Sequence, residues 1–464
     1  MPGFISASPY TAHSRHADAP RDPNTMEHGS EVGDYPRVLI IGVNPIQRVG
    51  ATGITVANLF SGWDHEALAQ IHLAEIEPDR KLCSKSLRLS EITFPADYCI
   101  RKLSRKTIKA DHSLTRKIGG VGPSVDDKMS PKVRLHLAAR AMSDLGPFVL
   151  PRDAAEWIRE FRPDVIYSCL GNVRLIKLAL AASRAAGDVP IVPHFMDDWP
   201  TTLYADGRMW GIPRRILGKF LKRLLGRAPI GFCIGELMVE EYKLRYGLDF
   251  YDFMNCVDDG EFEAGPYSGD PEPRLLVWAY VGGLHLNRWK PLALLAQSIS
   301  AQGDILRIFA PAQDISDQGS RFSGLSNVQM GTLAPGDVMK SMRESDVLVH
   351  VESFDQAESV YTRFSVSTKL AQYLSSGRAV LGFGPAGLAS LKLIEDASAG
   401  ITVTREDSKE LAIAVERIAG DIAFRKDCAW HSRLYANEHF KKSVVCGRFR
   451  QMLERATVER ALKP

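Results

Sequence analysis

The sequence predicts an α/β protein made of two Rossmann-like domains that face each other across a cleft, on three observations. From Tyr35 onward, apolar runs of strand length alternate with helical patterns. Those runs are continuous rather than alternately apolar and polar, as strands of a parallel sheet covered by helices on both faces should be. After a Pro/Gly-rich stretch, EAGPYSGDPEPR, the same grammar restarts, so two sheets follow one another in the chain. A length of 464 residues exceeds one ordinary core and suits two domains of roughly 150 to 230 residues.

The elements follow in order. Residues 1–34, rich in Pro, Ser, His and Asp, read as a flexible tail, with no apolar stretch long enough for a signal peptide. The first domain, residues 35–262, carries the strand runs RVLIIGV, ALAQIHL, DVIYSCL, VPIVPHF and PIGFCIG. Between the third and fourth lies a helix over residues 173–186 that Gly187 stops. Residues 263–274 are the interdomain linker. The second domain, residues 275–434, carries LLVWAYVG, ILRIFAP, DVLVHVE, AVLGFG and GITVT. Residues 435–464 form a charged helical pattern with no strand partner, free to pack back on the first domain.

With 45% hydrophobic residues, 24% charged residues and a net charge of +3, the composition is that of a globular protein and excludes disordered and fibrous classes. Seven scattered cysteines without a CxxC pair fit free thiols in a reducing compartment, and no metal site or cofactor is suggested. No run approaches the roughly 18 apolar residues of a spanning helix, so a cytoplasmic location is expected. The basic residues concentrate in residues 101–117 and 214–227, neither interleaved with the aromatics that single-stranded nucleic acid would need, so no nucleic-acid partner is expected.

The segment FSVSTKLAQYLSSGRAVLGFG, residues 364–384, places hydroxyls and a lysine at the head of a short helix. Ser367 or Ser365 is a candidate cap, leaving the backbone N–H groups of Thr368 and Lys369 directed outward, where the dipole, the hydroxyls and the Lys369 ammonium suit a phosphate or diphosphate. A plain capped helix with a solvated lysine accounts for the same residues. The second loop in reach is YVGGLHLNRWKP, residues 280–291, where a strand ends at Gly282-Gly283 and Arg288 and Lys290 follow. Convergence of the two loops would gather several cations at one helix start, and a nucleotide diphosphate is the simplest occupant.

The run STKLAQYLSSGRAVLGFGPAG resembles the donor-binding segment of glycosyltransferase family 4, in the variety reading Pro-Ser-Lys-Leu-x-Glu-Tyr-Leu-Ala-x-Gly-Arg-Pro-Val-Leu. IGELMVEEYKLRYG, MNCVDDGEF, VGGLHLNRWK and GTLAPGDVMKSMRESDVLVHVESF are similar to further segments of that family, in its order. GATGITVANLFSGWDHEALAQIHL is similar to the opening helix of bacterial polysaccharide-assembly members. The resemblance covers roughly residues 37–416 and implies a GT-B architecture, a nucleotide-sugar donor such as a UDP- or GDP-sugar, retention of configuration and no metal requirement. It further implies donor-diphosphate contacts at Gly283, Arg288, Lys290, Ser367, Thr368 and Lys369. Two glutamates eight residues apart are common in the family, and their places here hold Phe364 and Gln372. Gln372 then serves the ribose or sugar, with Glu358 or Asp355 as substitutes for the first acid. The family's arginine after the loop glycine is Gly283 here, which leaves the diphosphate to Arg288, Lys290 and Lys369.

On the acceptor side, PHFMDDWP offers Asp197 and Asp198 to orient or deprotonate an acceptor hydroxyl, although a helix cap and a solvated carboxylate would explain the pair equally well. Gly50 and Gly53 either let the first helix approach a ligand or only make the turn. RRILGKFLKRLLGR carries Arg214, Arg215, Lys219, Lys222, Arg223 and Arg227 around an apolar stripe. This basic amphipathic helix suits peripheral docking on an anionic cytoplasmic leaflet, its alternative being a core helix with a basic solvated face. A lipid-linked glycan acceptor of envelope or exopolysaccharide assembly is the implied substrate. A sugar-nucleotide 2-epimerase of similar architecture and a non-catalytic sugar-nucleotide-binding protein are the rival readings.

Overall fold

Two parallel sheets organise the chain. The first runs β3 (Lys85–Arg88), β2 (Leu68–His72), β1 (Val38–Gly42), β4 (Val165–Cys169), β5 (Ile191–Phe195), β6 (Gly231–Cys233) and β7 (Phe250–Asp252). The second runs β10 (Val328–Gly331), β9 (Ile305–Phe309), β8 (Val277–Val281), β11 (Val347–Val351), β12 (Ala379–Phe383) and β13 (Gly400–Val403). The structure is a computed structural model and describes residues 35–48, 50–89, 146–205, 208–262 and 274–461. The expected tail (residues 1–34), the linker up to residue 273 and the cationic stretch 101–117 lie outside the described residues.

The interior strands β2, β5, β11 and β12 are buried along their whole length, which is why each reads as an unbroken apolar run. Their helices close both faces. Helix Val173–Ala185 begins where the Asn172 side chain accepts the Leu175 N–H at 2.9 Å, and it buries Leu175, Ile176, Leu178 and Ala179 under the first sheet. Strand order reverses between β1 and β4 in the first sheet and between β8 and β11 in the second. Ligands of such sheets bind in the crevice outside the carboxyl ends of strands at that switch point. The loops after β1, β8 and β11 therefore border such crevices.

The pattern over residues 435–464 is not one helix. Helix Ile422–His439 buries Cys428, Ala429, Ser432 and Ala436 and sits against helix Lys369–Ser376 of the second half. The chain then turns at Phe440-Lys441, where Lys441 bridges Val257. Helix Lys442–Ala461 continues into the core of the first half, with the Phe449 ring 5.0 Å from Phe60 and 5.2 Å from Phe253, both edge-on. Lys442 pairs with Asp258, and the Ser443 N–H donates to Asp259 at 3.0 Å, which fixes the crossing point.

Candidate active site

The helix that raised the phosphate expectation is Lys369–Ser376. It starts differently from the sequence reading: Thr368, already in helical conformation, holds the cap position without a side-chain cap bond. The Ser367 hydroxyl lies 3.4 Å from the Lys369 N–H, while the Ser365 hydroxyl points across the cleft and donates to Asp197 at 2.9 Å. Tyr373 anchors the helix from below. Its hydroxyl accepts the Val281 N–H at 2.8 Å and donates to the Val349 carbonyl at 3.0 Å, which ties the helix to the carboxyl ends of β8 and β11. The Lys369 ammonium is half-buried and donates to the Gln372 side-chain carbonyl at 3.1 Å. Burial lowers its pKa from the ordinary lysine value, and among the described residues no carboxylate pairs with it. Phe364, in the place of the family's first glutamate, is a buried core aromatic.

The loop after β8 carries the other cations and spends them on acids. Arg288 forms a fork with Glu352, at 2.9 and 3.1 Å, and Glu352 is 3% exposed. Lys290 instead turns to Asp355, at 2.7 and 2.9 Å, and Asn287 donates to the same carboxylate at 2.7 Å. Glu358 joins this group through Asn287 at 3.4 Å, and burial followed by the Asp355 charge raises its pKa. The glycine at Gly283 has a steric cause: an added Cβ would lie 2.4 Å from His285 Nδ1 and 3.0 Å from an Asp314 oxygen. Leu286 and Asn287 then take consecutive left-handed conformations (φ 57° and 56°), a strained arrangement for a leucine that a surrounding site must hold in place.

The two aspartates separate. Asp198 is 2% exposed and taken up by the first domain itself, accepting from the Tyr242 hydroxyl at 2.8 Å and from Arg245 at 2.9 Å. Asp197, half-buried, reaches the other domain, where the Ser365 hydroxyl and the Tyr361 hydroxyl both bond it. Burial raises the Asp197 pKa above the ordinary carboxylate value in spite of these donors and of the nearby Arg288 charge. His194, three residues earlier, is a core residue. Its Nδ1 lies 2.6 Å from the Tyr167 hydroxyl and its Nε2 lies 2.9 Å from the Phe253 carbonyl, and burial pushes its pKa down to about 3.

A third contact between the halves was not apparent in the sequence. Asn255 is 3% exposed; its amide nitrogen donates to the Thr368 carbonyl at 3.2 Å, and its oxygen accepts from Asn58 at 2.9 Å. The helix Ala51–Leu59, which follows the switch point of the first sheet, is thereby linked through one amide to the start of helix Lys369–Ser376. Gly50 (φ 73°) makes the turn into that first helix, and Gly53 lets it pass the Gln47 carbonyl, which an added Cβ would meet at 2.8 Å. Asp197, Ser365, Thr368 and Lys369 thus belong to one cleft, with Arg288 beside Asp197 and with Lys290, Asp355 and the buried Glu358 in a neighbouring group. No group of His, Cys, Asp or Glu side chains among the described residues is arranged to hold a metal ion.

No family model matches the sequence, and no curated protein matches it. Solved structures do match. HepE of Anabaena, in a structure with UDP, superposes with a TM-score of 0.59 at 12% identity, covering 90% of this chain and 100% of that one. The chain has the GT-B fold. WaaG, a glycosyltransferase involved in lipopolysaccharide biosynthesis, gives a TM-score of 0.54 at 12% identity over 89% of this chain and 98% of its own. Sucrose-phosphate synthase from Thermosynechococcus elongatus gives 0.54 at 11% identity, with 90% and 98% covered. At such identities the likeness is one of fold. In GT-B terms the first sheet is the N-terminal domain, the second sheet is the C-terminal domain, and the last helix crosses back to the first.

Proposed function

We propose that the protein is a glycosyltransferase that takes a nucleotide-diphosphate sugar in the C-terminal domain and transfers the sugar to a hydroxyl of an acceptor held by the N-terminal domain. The observation that carries this reading is the half-buried Lys369 ammonium at the head of a helix, without an acidic partner among the described residues, four residues after Ser365, which bonds the cross-cleft carboxylate Asp197. Charge grows on the leaving diphosphate as the bond to the sugar carbon breaks, and a cation with a helix N-terminus stabilises it most at that moment. The acceptor hydroxyl gives its proton to Asp197 as the new glycosidic bond forms. The resemblance to family 4 supports a polysaccharide-assembly acceptor and retention, for which the acceptor attacks from the face that the diphosphate leaves, with Asp197 on that face; HepE, of the same fold, has been crystallised with UDP and with UDP-glucose. Thermal denaturation in the presence of UDP, GDP and their sugars tests the donor: a ligand at 100 times its dissociation constant adds about 2.7 kcal/mol of stability. No shift with any of them overturns the reading, and a shift without sugar transfer to any acceptor in an envelope extract leaves a binding protein.

The acceptor reading adds a membrane. Among the described residues no helix is long and apolar enough to cross one. Helix Ile212–Leu225 buries Leu217, Leu221 and Leu224 in the core and exposes Arg215, Lys219, Lys222 and Arg223. Arg214 is used internally, bonding the Pro200 and Leu203 carbonyls, and Arg227 pairs with Asp188 at 2.5 Å. Trp210, just before this helix, is 88% exposed and Ile212, its first residue, 41% exposed, a cost in water that a headgroup layer removes. We take this helix as the face that docks on anionic lipid and brings a lipid-linked acceptor to the cleft. Each cation near such a surface contributes about 1 kcal/mol, so the combination Trp210→Ser, Arg215→Glu and Lys222→Glu should weaken binding to phosphatidylglycerol vesicles on the order of a hundredfold. Vesicle flotation reads this, and undiminished flotation of the triple variant refutes the docking face.

A further inference from the structure

Away from the cleft, helices Val173–Ala185 and Ile212–Leu225 leave a pocket of about 270 Å³ between them, closed at one side by residues 146–148. Five cations line it: Lys177, Arg184, Lys219, Arg223 and Arg227. Among the described residues no acidic one does. The floor is apolar, from Phe148, Leu180, Ile216 and Phe220. We propose that this pocket is a second anion site, which holds a phosphate group carried on an apolar body, such as the headgroup of a phospholipid.

Two of the cations build the walls. Lys177, 7% exposed, donates to the Gly146 carbonyl at 2.8 Å and lies 4.8 Å from the Phe220 ring centre. Arg227 is held by Asp188 at 2.5 Å and donates to the Ser183 hydroxyl at 3.2 Å. Arg184, Lys219 and Arg223 stand at the rim, exposed, and among the described residues none of the three has an acidic partner. Arg223 keeps its guanidinium 5.7 Å from the Phe220 ring, at the border between the apolar floor and the rim. Like charges gathered around one concavity repel one another, and an anion placed among them turns that repulsion into charge-assisted hydrogen bonds. A water occupies about 30 Å³ of liquid, so the space takes a phosphate with its first few carbons rather than a whole lipid. The apolar floor distinguishes the site from a simple surface charge cluster, because hydrated inorganic phosphate gains nothing from Phe148, Leu180 or Phe220.

The position separates this site from the donor cleft. Helix Val173–Ala185 starts at Asn172, at the carboxyl end of β4 and so on the cleft side, whereas Arg184 lies at its far end, roughly 18 Å along the axis. Arg227 likewise follows the end of the other helix and leads into the amino end of β6. The proposal therefore stands without the transferase reading. It also separates from diffuse membrane docking: Arg184 is not on the docking helix, while Arg215 and Lys222 are on it and do not line the pocket.

Isothermal titration of the full chain with dihexanoyl phosphatidic acid below its micellar concentration, and separately with inorganic phosphate, tests the site in a Lys369→Ala background that weakens anion capture in the cleft. Saturable binding is expected, weakened at least about tenfold by Arg184→Gln, further by Arg184→Gln with Arg223→Gln, and unchanged by Arg215→Gln with Lys222→Gln. Both arginines of the first pair are exposed, so their loss leaves the fold intact. Tighter binding of the acyl-bearing ligand than of phosphate assigns the pocket to a lipid headgroup, and equal binding assigns it to a free phosphate. Absence of saturable binding by either ligand, or binding indifferent to Arg184→Gln with Arg223→Gln, overturns the proposal. If the pocket variants leave vesicle flotation intact while Trp210→Ser, Arg215→Glu and Lys222→Glu abolish it, the two lipid contacts are independent.

Discussion

Lys369→Ala is expected to lower kcat/KM on the order of a hundredfold and to leave the protein at least as stable as the wild type, because in the proposed reaction the ammonium serves the leaving diphosphate and not the fold. Its protein partner is the neutral carbonyl of Gln372, and burial already works against its charge, so the substitution removes a folded-state penalty. Lys369→Arg keeps the charge and recovers part of the rate. Arg288 is a poor probe of the same chemistry. It forks with Glu352, which is 3% exposed, and removing one partner of a buried pair strands the other at about 3 kcal/mol or more. Arg288→Ala therefore loses activity together with stability, and only a chemical-denaturation midpoint measured beside the kinetics tells the two apart. A Lys369→Ala enzyme with wild-type kcat/KM would remove Lys369 from the transition state.

The GT-B fold, with its two parallel sheets, was legible because interior strands must be apolar on both faces. Runs such as RVLIIGV and DVLVHVE sit over β1 and β11 with one extra residue at each end. Three strands escaped: β3, β7 and β10. Each is an edge strand, paired on one side only and partly exposed, so no continuous apolar run marks KSLR, FYD or VQMG. The break at Phe440-Lys441 was hidden for a different reason. Both helices beside it are charged and similarly periodic, and the turn is set by the bridge of Lys441 to Val257, which lies 184 residues earlier.

The site was legible as far as single segments go. The helix head, the glycine loop and the aspartate pair are each local, and the sequence singles out each as a candidate. What the sequence could not supply is pairing across the cleft. Nothing local distinguishes Asp197 from Asp198; the distinction arises from Ser365, 168 residues away, and from Tyr242 and Arg245 on helix Glu236–Tyr246. Glu352 was invisible as the holder of Arg288, and Asn255 as the link between Asn58 and Thr368. One signal did exist: Asn255 lies in the MNCVDDGEF segment at the domain junction, where a buried amide has reason to serve both halves.

Asp197→Asn is expected to lower kcat by about a hundredfold to ten-thousandfold without destabilising the protein at neutral pH. The carboxylate crosses from the N-terminal domain to the C-terminal domain, and its raised pKa means that ionisation is harder in the folded chain than in the unfolded one. The sign then follows. The contribution of Asp197 to stability is fully present below the unfolded carboxylate pKa and is lost as pH rises through the higher folded value. Asparagine keeps an acceptor for the Ser365 and Tyr361 hydroxyls and cannot ionise, so the variant is equal or superior in stability above that window, and the difference closes below it. Activity runs the other way. The wild-type rate should rise with pH along a limb set by Asp197, above the ordinary carboxylate range, and the variant should lack that limb. Ser365→Ala, which removes a donor to the carboxylate, should move the limb to still higher pH while leaving the maximal rate nearer the wild type. A variant that keeps its rate within a few-fold shows that Asp197 only ties the two domains together, and one that loses rate and stability in parallel shows the same.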